Sequence, residues 1–128
     1  MIIKVPISFG ELVDKITILR IKQNKIDDKE KRKFIEDELQ VLVRYFSSYS
    51  SVDIVREFTE LENVNKKLWD IEDKLRVKES KKEFDKEFVE LARSVYFTND
   101  KRAEIKKKIN ELTGSDIIEV KSYVEYSE

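Results

Sequence analysis

Hydrophobic residues recur every three or four positions along most of the chain, and this spacing places them on one face of an α-helix. Ser8 and Glu11 form a capping box before the first of these runs. Ser80 and Glu83 form another before the last run, and Gly114 follows that run as a left-handed cap. The pattern predicts four helices, at about residues 8–25, 28–46, 52–78 and 82–113.

Three places in this helical pattern need interpretation. Asp27 and Glu30 have the spacing of a cap for the second helix. The serine-rich segment 47–51 favours a turn into the third helix, because serine is a weak helix former and a good cap. Residues 98–100 are also cap-type residues, so the fourth helix can run through them or break there. We expect it to be continuous.

The two ends of the chain carry a different pattern. Residues 2–6 are mainly β-branched and end at Pro6, and residues 117–124 alternate between apolar and polar side chains, so each segment predicts a short strand. An isolated two-stranded ribbon is marginally stable, so we expect the strands to lie on the helices or on another subunit. The predicted fold is a single all-α domain, residues 1–128, in which antiparallel helical hairpins form a four-helix-type bundle with short terminal β-strands.

Composition removes several classes of function without identifying one. The 128 residues include 26 basic and 27 acidic side chains, and a net charge of −1 gives no bulk attraction to nucleic acid or to an anionic membrane. Because the sequence has no Cys and no His, disulfides, thiolate or imidazole zinc sites and imidazole-based catalysis are excluded. It also shows no transmembrane run and no signal peptide, so we expect a cytoplasmic protein.

A group of polar residues interrupts the apolar stripes of the third and fourth helices at matching heights. If the two helices form a hairpin with its tip at Ser80, these residues make one polar layer of Glu62, Asn65, Tyr96, Asn99 and Arg102. One interpretation is a recognition site in which Arg102 binds a carboxylate or phosphate and the amides and phenol bind the rest of the ligand. The other is a buried network that fixes the register of the hairpin. Both interpretations stay open.

Acidic pairs three residues apart offer an enzymatic alternative. Such pairs can hold Mg²⁺, and Glu62, Glu72 or Asp73 can serve as acid, base or metal ligand. Their number is close to that expected by chance in so acidic a chain, so we predict no metal site, and the cofactor stays unknown. The basic cluster at residues 101–108, which includes Lys106, is interleaved with acids and favours a solvated helix face over a nucleic-acid site.

Four segments resemble a known family: VPISFGELVDKITILRIK at residues 5–22, and further on LWDIEDKLR, FVELARSVYFTNDKRAEIKKKIN and EVKSYVEY. They resemble an uncharacterised domain-of-unknown-function family of small helical proteins from bacteria and phages, over nearly the whole chain. The family has no established activity, and the resemblance implies at most a loose association with surface-carbohydrate metabolism. It also implies recurring polar positions at Glu11, Asp14, Lys15, Asn65, Trp69, Glu72, Asp73, Arg93, Tyr96, Asn99, Asp100, Arg102, Lys106, Lys121, Ser122 and Tyr123.

The candidate ligand-binding residues, drawn from the polar layer and these positions, are Glu62, Asn65, Glu72, Arg93, Tyr96, Asn99 and Arg102. We expect a non-enzymatic interaction or ligand-binding protein with a small anionic or sugar-like ligand, and a homo-oligomer, because the apolar stripes are broad. Arg102→Ala is then expected to abolish ligand binding and to spare the fold. The alternative is a small all-helical enzyme that uses buried carboxylates, with Mg²⁺, on a nucleotide or nucleotide-sugar, so whether the chain is an enzyme stays open.

Overall fold

The computed structural model describes residues 1–127, and this part of the chain forms four α-helices. They are α1 (Phe9–Lys25), α2 (Lys29–Tyr49), α3 (Val55–Ser80) and α4 (Lys86–Thr113). The predicted all-α class is confirmed. None of these helices, which account for all the helical structure in residues 1–127, is long and apolar enough to cross a membrane.

Side-chain caps set the starts of α1 and α2. The hydroxyl of Ser8 accepts a hydrogen bond from the backbone N–H of Glu11 at 3.1 Å, as the capping box predicts. At α2 the cap is Asp28 rather than the predicted Asp27, and its carboxylate accepts from the backbone N–H of Lys31 at 2.9 Å. The helix therefore begins one residue later than the spacing of Asp27 and Glu30 predicts.

The turn between α3 and α4 also differs from its prediction. Ser80 is the last residue of α3, and Asp85 caps α4 by accepting from the backbone N–H of Phe88 at 2.9 Å. A carboxylate at this position also interacts favourably with the positive end of the helix dipole. The turn thus occupies residues 81–85 and not Ser80. At the other end of α4, Gly114 has φ 65° and ψ 42°, which confirms the predicted left-handed cap.

Residues 47–49 of the serine-rich segment and residues 98–100 are helical, whereas Ser50 and Ser51 belong to the connection between α2 and α3. The serine-rich segment was predicted to be a turn, but α2 continues to Tyr49, and the hydroxyl of Ser48 donates to the backbone carbonyl of Arg44 at 2.9 Å. A serine that bonds back to its own helix in this way no longer competes with the helical backbone. In α4 the helix runs without a break through residues 98–100, as the continuous alternative predicts.

The predicted terminal strands are wrong, because neither residues 2–6 nor residues 117–124 form a strand in the described part of the chain. A strand needs neighbouring backbone N–H and C=O groups, and the described chain offers the two ends no sheet edge to pair with. Their β-branched side chains are consequently exposed: Ile3 and Val120, for example, keep 74% and 86% of their accessible surface. The alternation of apolar and polar residues therefore does not correspond to a strand at either end.

Helix α1 lies at the centre of the molecule and contacts α2, α3 and α4, whereas α3 and α4 form an extensive hairpin with each other. The buried core at their junction consists of Val13, Ile54, Leu61, Ile105 and Ile109. Because α1 meets three neighbours, it is buried on most of its circumference, and polar residues of α1 are buried along with the apolar ones.

Helix α2 packs on the outside of this arrangement. Ile35 is its one buried residue, and Phe46 links it to the core through ring contacts with Phe9 at 5.5 Å and Phe58 at 6.0 Å between centroids. The core is therefore built mainly by α1, α3 and α4.

Candidate functional site

The carboxylate of Asp14 is the centre of a polar network where α1, α3 and α4 meet. Asp14 is 1% exposed, and α1 presents it between the buried residues Val13 and Ile16. From α4, Arg102 donates through Nε to Oδ1 at 2.9 Å and through Nη2 to Oδ2 at 2.5 Å. This two-point ion pair fixes both the position and the plane of the guanidinium.

Helix α3 contributes Asn65 to the same network. Its Nδ2 donates to Oδ1 of Asp14 and lies within hydrogen-bond distance of Oγ1 of Thr17, both at 2.9 Å. The hydroxyl of Thr17 donates in turn to the backbone carbonyl of Asp14 at 2.8 Å. Each polar group thus finds a partner, as buried polar groups must if they are not to destabilise the fold.

The pKa of Asp14 lies below its usual value. Burial by itself raises this pKa, but the hydrogen bonds from Arg102 and Asn65 and the charges of Arg102 and Lys106 outweigh burial. The same ion pair raises the pKa of Arg102. Both groups therefore carry their charges at neutral pH.

Lys106 extends the network one turn along α4 and is itself buried. Its Nζ lies 2.7 Å from Oε2 of Glu11, 3.3 Å from Oε2 of Glu119 and 4.0 Å from Oδ2 of Asp14. Burial lowers the pKa of Lys106, but these three carboxylates raise it further than burial lowers it. Our expectation that the basic cluster forms a solvated face is therefore wrong for Lys106, because the spacing of charges along a sequence does not show which neighbours cover them.

A hollow of about 220 Å³ opens beside this network, between α4 and the C-terminal segment. Nη1 of Arg102, the guanidinium nitrogen that Asp14 does not bind, lies 3.5 Å from Oδ1 of Asn99. The hollow is lined by Asn99, Arg102, Ala103, Lys106, Glu119 and Lys121. It therefore combines three cationic side chains with one amide and one carboxylate.

A close approach of α1 and α4 brings the network residues of the two helices together. The backbone N–H of Gly10 donates to Oδ1 of Asn110 at 2.7 Å. A Cβ at Gly10 would lie 2.6 Å from the backbone carbonyl of Lys106, well inside van der Waals contact. Glycine is thus required here by space rather than by backbone torsion, and it lets Asp14 and Arg102 meet.

Three of the candidate residues from the sequence, Asn65, Asn99 and Arg102, come together at this site. Because the α3–α4 turn lies beyond Ser80, Asn65 does not pair with Tyr96; it meets Arg102 at the carboxylate of Asp14 instead. The polar layer thus exists in part, with a different register.

The other four candidates lie outside the network. Oε2 of Glu62 is 2.9 Å from Nε of Arg20, although without hydrogen-bond geometry. Glu72 is exposed on α3. Arg93 is also exposed and lies over the ring of Phe97, while Tyr96 contacts the C-terminal segment.

Reasoning from helical spacing missed the residue on which the site depends. Asp14 interrupts a run of apolar residues in α1, and that interruption is a signal the sequence contains, but the predicted polar layer drew only on the third and fourth helices. The family resemblance did include Asp14. Thr17 had no signal of its own, because a lone threonine in a buried helix is common.

Metal binding finds no support in the geometry. Within residues 1–127 no group of three or more acidic side chains is placed to hold a metal ion. Asp73, a candidate metal ligand in the enzymatic alternative, is exposed on α3, and its Oδ1 lies 3.8 Å from Nη1 of Arg76.

Fold and site together define a class: a small all-α protein in which a buried carboxylate–guanidinium pair joins three helices beside a cation-lined hollow. The chain belongs to the Family of unknown function (DUF6165), whose model matches residues 3–126. No curated protein and no solved structure matches the chain. The resemblance found in the sequence is thereby confirmed, and function has to be argued from the site.

Proposed function

We propose that the protein binds a small anionic, sugar-like ligand at the hollow beside Asp14 and has no catalytic role, with a loose link to carbohydrate metabolism in the cytoplasm. The observation that carries the proposal is the orientation of Arg102. Asp14 binds Nε and Nη2, so the remaining nitrogen, Nη1, is held at the wall of the hollow. A ligand would therefore bind Arg102 without the entropy cost of ordering its side chain.

The neighbours of Arg102 suit an oxyanion with attached hydroxyl groups. Lys106 adds positive charge from α4, and the amide of Asn99 both donates and accepts. A guanidinium fork is the side chain best matched to the two oxygens of a carboxylate or a phosphate. Binding rather than catalysis is favoured because the candidate acid Glu62 is engaged by Arg20 and Glu72 is exposed.

Arg102→Ala, which the sequence suggested as the test, is a poor choice because it leaves the buried carboxylate of Asp14 without its main partner and threatens the fold. Asn99→Ala is sharper, since Asn99 lines the hollow and has no bond to Asp14. With inorganic phosphate as the probe, we expect backbone amide NMR shifts concentrated at residues 99–106. Loss of one hydrogen bond should raise the Kd for phosphate about fivefold in Asn99→Ala.

Asn63→Ala is the matched control, because Asn63 is an exposed asparagine on α3. It should leave the Kd for phosphate unchanged. Equal affinities of the two variants, or shifts that avoid residues 99–106, would contradict binding at this hollow.

A second proposal, self-association into a homo-oligomer, is supported by the outer face of α2. Phe34, Val41, Tyr45 and Tyr49 are spaced by seven and four residues and so lie along one stripe of the helix. Phe34 and Tyr49 are 67% and 71% exposed. A stripe of aromatic side chains left in water is typical of an interface, and a second copy of the same stripe is the simplest partner.

A further inference from the structure

The C-terminal segment of the chain runs back along α4 without forming a helix or a strand. Glu119 contacts Lys106, and Tyr126 contacts Tyr96 and Phe97, which lie almost three turns nearer the start of α4. We call residues 115–126 the strap. Its two contacts lie on either side of Asn99 and Arg102, so the strap passes over the proposed ligand site.

Tyr126 anchors the far end of the strap. Its ring meets the rings of Tyr96 and Phe97 edge-on, with centroids 5.2 and 5.0 Å away, and its hydroxyl donates to the carboxylate of Asp100. The hydrogen bond to Asp100 raises the pKa of Tyr126 to about 12, so the hydroxyl keeps the proton that it donates. Aromatic contacts of this geometry are favourable beyond the apolar area they bury.

Glu119 places a carboxylate in the hollow itself. Its Oε2 lies 3.3 Å from Nζ of Lys106, its Oε1 lies 3.4 Å from Nζ of Lys121, and the residue shares the lining of the hollow with Arg102. An oxyanion from a ligand would seek the same ammonium groups. The strap thus supplies, from within the chain, the chemical group that the site is suited to bind.

The rest of the strap is held loosely. Ile118, Val120 and Val124 are exposed and do not join the core, so little apolar burial opposes opening. A segment fixed by two side-chain contacts can exchange between a closed and an open position without unfolding the helices.

We propose that the strap is an internal competitor, in which the carboxylate of Glu119 occupies the anion position and an anionic ligand binds by displacing it. The inference rests on the proposed function, because it regulates the same site. Displacement removes one of the three carboxylates around Lys106, and the incoming anion restores that negative charge. Apparent affinity is then reduced by the fraction of molecules in which the strap is closed.

The test compares Glu119→Gln with Glu104→Gln, using the full chain and inorganic phosphate. Both variants remove one negative charge near Arg102, but Glu104 lies on α4, is exposed, and pairs only with Lys101 at 3.9 Å in the described part of the chain. The loss of a negative charge would strengthen phosphate binding in both variants, but less in Glu104→Gln because Glu104 does not line the hollow. Loss of the competing ion pair should give Glu119→Gln an affinity about two- to fivefold higher than that of Glu104→Gln, and the motion of the strap, measured next, separates displacement from this difference in charge.

Backbone ¹⁵N order parameters of residues 116–126 provide the second measurement, because this segment forms no helix or strand and its amides have little protection from hydrogen exchange. Saturating phosphate should lower these order parameters in the wild-type protein, and Tyr126→Ala, which frees the strap without a change of charge, should lower them without phosphate and also tighten phosphate binding.

Each contrary outcome has a separate meaning. If the wild-type protein binds phosphate but Glu119→Gln binds no tighter than Glu104→Gln, the competitor role is overturned and the proposed function stands. Higher order parameters of residues 116–126 on binding would also overturn it, because Glu119 would then help to close the site over the ligand. If none of these proteins binds phosphate, the proposed function fails and the competitor role fails with it.

Discussion

Asp14 is a charged side chain buried in α1, the helix that contacts the three others. Transfer of a carboxylate from water to such a position is unfavourable by several kcal/mol unless partners compensate. Arg102, Asn65 and Lys106 provide this compensation from two other helices. The network is therefore stable only when all three helices are docked, and it ties the stability of the fold to the geometry of the proposed ligand site.

Asp14→Asn should reduce the free energy of unfolding by about 3–5 kcal/mol at pH 7, because it breaks a buried ion pair and leaves Arg102 without its anion. The folded-state pKa of Asp14 is lowered, so its contribution is present above the unfolded value of about 3.9 and is lost as pH falls through the folded value. Urea unfolding across a pH series should therefore show a constant difference between wild type and Asp14→Asn above about pH 5.

Below about pH 4 the two proteins should converge, because protonated Asp14 resembles asparagine. Asp73→Asn, a change at an exposed pair, serves as the control and should shift stability by less than about 0.5 kcal/mol. A difference that stays constant down to pH 2 would show that the charge of Asp14 does not support the fold.

At the scale of helices, local sequence signals predicted where each helix lies along the chain but not which residues of other helices it contacts. The capping serine of α1, the glycine cap of α4 and the apolar spacing are properties of short stretches of sequence, and all of them correspond to the observed helices. The register of α3 against α4 depends on where the turn closes, and Asp85 moved that turn beyond Ser80. The partner of Asn65 could not be predicted for this reason.

Gly10→Ala tests the close approach of α1 and α4. Alanine is intrinsically the better helix former, by about 1 kcal/mol in a helix interior and by less at Gly10, the second residue of α1, but its Cβ would overlap the backbone carbonyl of Lys106. Because backbone cannot move aside as a flexible side chain can, we expect a net loss of stability of about 1–2 kcal/mol in thermal or urea unfolding.

Lys15→Ala, at an exposed position of the same helix, should change stability by less than about 0.5 kcal/mol. If Gly10→Ala stabilised the protein, helix propensity would dominate at this position, and the two helices would not be held as close together as the structure shows.

In the molecule as a whole, α1, α3 and α4 form the core, and α2 packs against α1 on the outside of that core. Because α1 is the main neighbour of α2, the stripe of Phe34, Val41, Tyr45 and Tyr49 has no helix to cover it, and its three aromatic side chains are exposed. The exposed terminal segments add further apolar surface. These exposed surfaces are the physical basis for proposing a homo-oligomer.

Native mass spectrometry and light scattering should give a mass of at least twice 15.3 kDa for the wild-type protein. Phe34→Glu places a charge within the proposed contact and should return the protein to the monomer, because an unpaired charge in an interface is costly. The control is Lys29→Glu, since Lys29 is exposed on the same helix. A wild-type mass of 15.3 kDa would exclude this interface.

The sequence by itself determined the helical class, the approximate helix positions, the two end caps and the family, because these follow from spacing and side-chain chemistry within a few residues of one another. Only the tertiary structure decided that Asp14 pairs with Arg102, that Lys106 is buried, and that the C-terminal segment is a strap rather than a strand. Contacts between residues about 90 positions apart, such as Asp14 with Arg102, depend on how three helices dock, and no local pattern encodes that docking.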